Sequence, residues 1–101
     1  MAMVGLTKSA AASFAKDNIR CVIISPGHVD TPFIRGNNEH SPNSWETSID
    51  NPDNFDRRLK NTPLGRLQVG DDIANAYLFA ATDDAAMITG SMITVDGGAG
   101  L

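Results

Sequence analysis

Ile19-Arg20-Cys21-Val22-Ile23-Ile24-Ser25-Pro26-Gly27-His28-Val29-Asp30-Thr31-Pro32 changes character in its middle. Its first half is almost wholly apolar and stops at a Pro-Gly turn. A strand buried on both faces reads this way, because it has no solvent side on which to alternate polar residues. Such strands belong to parallel sheets, and the spacing predicts one over about Ile19–Ser25. Pro26 has no N–H for a ladder and biases Ser25 toward extended geometry. Gly27 lets the backbone turn closely. Thr31-Pro32 reads as the cap and first residue of a short helix through Phe33 and Ile34 to Gly36. In open α/β sheets ligands sit beyond the carboxyl ends of the strands. Pro26 to Thr31 is therefore the place where a ligand is expected.

Upstream, residues 2–16 have helical periodicity. Met3, Leu6, Ala10 and Phe14 make one apolar stripe, and Ala2, Gly5, Ser9 and Ser13 a second stripe of small residues. The small stripe suits close packing, either on the sheet or against a partner subunit. Asn18 is placed to take the left-handed conformation that ends a helix.

Downstream, Gly36 to Ser44 is polar, rich in turn formers and without periodicity. Long loops of this kind serve as lids or binding loops, or are disordered. Trp45 sits at its end and either plugs the domain or faces a substrate. Pro52–Lys60 reads as a helix starting near Asn51 or Asp53, with Phe55 and Leu59 one turn apart. Gly70-Asp71-Asp72 opens a longer helix, its two aspartates at the positive end of the dipole. Ile73, Ala76, Tyr77, Ala80 and Ala81 line one of its faces. Met92–Val95 is a second strand, closed by Asp96-Gly97-Gly98.

These pieces resemble the classical short-chain dehydrogenase/reductase family. The first stretch resembles its sixth strand and the turn after it. Val4-Gly5-Leu6-Thr7-Lys8-Ser9 resembles the helix after its catalytic Tyr-x-x-x-Lys. Thr62-Pro63-Leu64-Gly65-Arg66 and Asp72-Ile73-Ala74-Asn75-Ala76 resemble the approach to its last large helix. Thr89-Gly90 and Val95-Asp96-Gly97-Gly98 resemble its final strand. The resemblance places Met1 just after the family's catalytic Lys. It implies an α/β fold: the C-terminal portion of a Rossmann-like doubly wound parallel sheet, in the order helix–strand–lid–helix–strand. Residues 1–101 are then one partial domain, with 33–60 as the substrate-lid region.

The functional implications of the resemblance are these. The whole enzyme transfers hydride between NAD or NADP and an alcohol or carbonyl substrate. Pro26 and Gly27 shape the wall of the nicotinamide pocket, Val29 offers backbone groups to the carboxamide, and Thr31 bonds the carboxamide or a nearby phosphate. The helix at residues 2–16 implies a homo-oligomer. The glycine-rich dinucleotide loop and the catalytic Ser, Tyr and Lys are not among these residues, so this chain by itself is expected to be inactive. An alternative is a non-catalytic interaction module derived from such an enzyme. Gln68-Val69-Gly70 departs from the family's usual Gly-x-Pro at this point.

Composition narrows the other classes. At 42% hydrophobic and 20% charged residues the chain is ordinary for a globular protein. The net charge of -4, with no basic cluster, argues against nucleic acid or an anionic membrane as partner. No run approaches the ~20 apolar residues of a membrane span. The one cysteine, Cys21, allows no internal disulfide and reads as a core thiol in a reducing compartment, so a cytoplasmic address is expected. His28 and His40 fall in different loops without ligand spacing, so no metal site is expected. Asp50, Asp53 and Asp56 lack the turn glycine and bidentate glutamate of a calcium loop and read as a solvated face. A sheet with so few strands is too small to stand alone, so the isolated chain is expected to associate.

Overall fold

The computed structural model describes residues 2–35 and 43–101. The element order is α1 (Ala2–Phe14), β1 (Ile23–Pro26), α2 (Pro32–Arg35), α3 (Pro52–Lys60), α4 (Gly70–Ala81) and β2 (Met92–Val95), with 3-10 turns at Ala15–Asp17 and Asp83–Ala85. The strands pair in parallel, Ile23 beside Met92 through Pro26 beside Val95. This is the predicted α/β order, with helices joining parallel strands.

Several predicted boundaries hold for the predicted reasons. Asn18 adopts φ 59°, ψ 36° and closes the first helical segment. Asn51 caps α3, its side chain accepting from the Asp53 N–H, with Pro52 in the first turn. Asp72 accepts from the Val69 N–H at 2.8 Å, fastening the first turn of α4. Val69 itself has no side-chain acceptor, so only this half of a capping box exists. The predicted helix end at Gly36 and the polar run 36–42 lie outside the described residues.

β1 begins later than predicted. The Cys21 N–H donates to Thr89 Oγ1, and Cys21 C=O accepts from Gly90, whose φ is 69°. The start of the apolar run therefore pairs with a turn rather than a strand. The regular ladder starts where Ile23 N–H meets Ser91 C=O at 3.0 Å and ends where Gly27 N–H meets Val95 C=O at 2.9 Å. Pleating then puts residues 23, 25 and 27 toward β2, and Ile24 and Pro26 away from it. Pro26 is accommodated as the last strand residue because its missing N–H falls on the outer edge. No described strand meets that edge. Cys21 is half-buried rather than a core residue.

The core is small. Ala11, Ile49 and Ala85 are its only buried apolar residues among those described. The molecule exposes 7044 Å², where a compact chain of 10.7 kDa exposes about 5,500 Å². Many large apolar side chains are exposed. On α1 the large residues of the predicted stripe, Met3, Leu6 and Phe14, are turned outward, Met3 and Leu6 each 64% exposed, while Ala10 faces inward. The side facing the sheet is instead Val4, Thr7, Ala10 and Ala11. Ala11 lies against the Gly90 turn, its Cβ 3.6 Å from where a Gly90 Cβ would be. On α4 Ile73, Ala76 and Ala80 are half-buried as expected, but Tyr77 and Ala81 are exposed, as are Leu78 and Phe79. Trp45, 62% exposed, does not plug the domain. No described helix is long and apolar enough to cross a membrane.

Candidate functional site

The carboxyl ends of β1 and β2 gather the polar chemistry of the chain. Gly27 packs against the residue that follows β2: a Cβ here would lie 2.8 Å from Asp96 Cβ. Its glycine is thus required by this chain's own packing. Beyond it, Val29 bridges in parallel to Gln68, with Asp30 N–H donating to Gln68 C=O at 2.8 Å. In such a bridge the flanking residues face the partner and the central residue faces away. The N–H and C=O of Val29 therefore point to the side opposite Gln68. Thr31 C=O accepts from Ile34 N–H in the first turn of α2. Pro26, Gly27, Val29 and Thr31, the residues singled out in the sequence, thus lie along one continuous loop.

An ion cluster that sequence reasoning missed holds the base of that loop. Arg35 forks onto both oxygens of Asp30, at 2.7 and 2.6 Å, and reaches Asp50 Oδ1 at 3.0 Å. These bonds raise the Arg35 pKa, Asp30 contributing most. The Ser48 hydroxyl donates to Arg35 C=O, and Asn54 Nδ2 donates to Glu46 and Ser48 carbonyls at 2.8 and 2.9 Å. Ser48 and Ile49 are each only 2% exposed. A segment with no hydrophobic periodicity is here pinned to α2 and α3 by polar contacts.

On the β2 side of the loop lies a cleft of about 290 Å³, lined by His28, Arg58, Asn61, Arg66, Gln68 and Asp96 among others. The His28 imidazole sits below its ordinary 6.5, first through partial desolvation and second through the charge of Arg58. Arg66 is committed to Asp72 by two bonds of 2.8 and 2.9 Å. That fork, followed by the Val69 N–H, holds the Asp72 carboxyl down to about 2 and raises Arg66 in turn. Asp96 is occupied by Gly98 and Gly100 N–H groups at 2.9 and 3.0 Å. Arg58 makes no ion pair among the described residues. No described group of three His, Cys, Asp or Glu side chains could hold a metal ion. The signal that could have pointed to this cleft was the polar Gln68 at a position where the resembling family has glycine.

The sequence pattern of the family described as Enoyl-(Acyl carrier protein) reductase matches residues 1–100. The chain is 39% identical over 97 residues to Dehydrogenase/reductase SDR family member 6 of Aquarana catesbeiana, covering 96% of this chain and 37% of that protein. An oxidoreductase of the short chain dehydrogenase/reductase family from Burkholderia thailandensis superposes with TM-score 0.74 at 35% identity, over 97% of this chain and 34% of that one. A 4-hydroxyisoleucine dehydrogenase complexed with NADH superposes with TM-score 0.79 at 31% identity, over 96% and 35% of the two chains. The chain thus spans about a third of the length of the relatives it matches. Its parallel strands, its open strand-end loop and these likenesses agree: the chain belongs to the short-chain dehydrogenase/reductase family.

Proposed function

We propose that this chain supplies the cofactor-facing loop and the substrate lid of an oxidoreductase that uses NAD or NADP on an alcohol or carbonyl compound. The observation that carries the reading is Val29, whose backbone donor and acceptor are both turned away from Gln68 and make no hydrogen bond among the described residues. Unpaired backbone groups of this kind need a partner. A nicotinamide carboxamide, with one acceptor and one donor group, matches the pair. Thr31 supplies a hydroxyl one turn of loop further on, and Pro26 and Gly27 form the wall before it. The NADH bound by the 4-hydroxyisoleucine dehydrogenase supports the same ligand class. When bound, the nicotinamide gives or accepts the hydride. The residues of this chain hold and orient it, and residues 33–60 cover the substrate beside it. The chain contains no Tyr-x-x-x-Lys, so proton transfer at the substrate oxygen falls to groups outside it.

The exposed apolar residues of α1 and α4 support assembly with further copies, and the lone thiol suits a cytoplasmic protein. The test of the cofactor reading is NADH titration of the full-length protein by fluorescence. Val29→Pro deletes the donor, and Thr31→Val deletes the hydroxyl with little change of shape. Each is expected to weaken NADH binding about tenfold, as loss of one well-aligned hydrogen bond does. Unchanged affinity in both variants would overturn the assignment.

A further inference from the structure

We infer that the cleft between the end of α3 and the turn after β2 binds the carboxylate of a small organic acid. The inference does not rest on the cofactor reading. The cleft lies on the Gln68 side of the loop, and the free groups of Val29 face the other way.

Charge is the first argument. Arg58, Arg66 and Asp96 are the charged residues lining the cleft. Arg66 is spent on Asp72, and both oxygens of Asp96 are taken by backbone N–H groups. Arg58 is left as a half-buried cation with no ion pair among the described residues. The second argument is independent. Gln68 is 8% exposed, and its Nε2 is fully buried with no hydrogen-bond partner. A buried donor without an acceptor is rare. The terminal torsion of a glutamine is broad, so its amide can swing to an acceptor placed in the cleft it lines. A guanidinium fork and an amide donor together present what a planar carboxylate accepts.

Size and charge number select within anions. A cleft of about 290 Å³ stands at the small end of ligand pockets, about 300–1,000 Å³. Arg58 and Asn61 come from the C-terminal end of α3, the negative end of its dipole. That end, with the Asp96 carboxylate nearby, disfavours a dianionic phosphate more than a monoanion. His28, held neutral at pH 7, and Asn61 can serve the remaining lone pairs without adding charge.

The test uses the full-length protein and NMR signals of the Arg58 Nε–H and the Gln68 amide. Butyrate, its neutral isostere butyramide and inorganic phosphate are titrated in parallel. Butyrate is expected to shift both signals and butyramide neither, with phosphate weaker than butyrate. Arg58→Gln is expected to weaken butyrate binding about tenfold and Gln68→Leu by about half that factor, with Arg58→Lys between wild type and Arg58→Gln. Equal response to butyrate and butyramide, phosphate outcompeting butyrate, or full butyrate affinity in Arg58→Gln would each overturn the inference. Because the shifts are read first on the unaltered protein, a variant that fails to fold does not remove the test.

Discussion

The two halves of this molecule close their interactions in opposite ways. At the strand ends most polar side chains satisfy one another, Arg35 with Asp30 and Asp50, Ser48 with Arg35, Arg66 with Asp72, while Val29, Arg58 and Gln68 keep open groups. On the helix side, Met3, Leu6, Tyr77, Leu78 and Met87 remain exposed. Polar groups need partners within about 3 Å and find them locally or along one loop. Apolar surface is non-directional and asks only for area, which the two strands and four helices among the described residues cannot supply to themselves. The strand-end half is therefore largely closed by polar contacts, and the helix half is a set of faces awaiting cover.

That contrast can be broken in order of expected effect. Ile49→Ala should be the most damaging single truncation, about 2–5 kcal/mol, since Ile49 is 2% exposed. Urea unfolding of the full-length protein measures it, and a loss below 1 kcal/mol would deny the segment between α2 and α3 its core. Arg35→Ala should follow at about 1.5–3 kcal/mol, by loss of charge-assisted bonds. Its effect should appear as faster hydrogen exchange at Ile49 and Asp50, with α1 unaffected. Acid acts next, through Asp72. Its carboxyl is lowered from 3.8 to about 2, so its stabilising contribution is complete above pH 4 and is lost as pH falls through 2. The Val69 amide should lose protection over that range, and Asp72→Asn should abolish the pH dependence. Leu78→Ala should be the smallest, within about 0.5 kcal/mol for the fold of this chain, while reducing self-association in sedimentation. A cost comparable to that of Ile49→Ala would show that α4 is packed after all.

The parts legible in the sequence were those with local causes. Asn51-Pro52 marked the start of α3, Asn18 the end of the first helix, and the Pro-Gly turn the end of β1. Alternation of apolar and small residues on α1 was visible too, but which side meets the sheet was not. That depended on contacts with the Gly90 turn, far along the chain, which Ala11 meets. The start of β1 was misplaced for the same reason, since Cys21 pairs with the Thr89-Gly90 turn. The cleft escaped because Arg58, Gln68 and Asp96 come together only when β2 is laid beside β1. The resemblance pointed to the loop after β1, and the geometry shows that the Gly27 and Asp30 N–H groups are bonded there while Val29 is not.

The central claim is that Val29 presents its backbone outward while its neighbours are already engaged. The most direct measurement is an NADH titration of the isotope-labelled full-length protein, following three amides. The Val29 amide should shift strongly. The Gly27 and Asp30 amides, bonded to Val95 and Gln68 carbonyls at 2.9 and 2.8 Å, should move little. Equal shifts at Gly27 and Asp30, or none at Val29, would contradict the account.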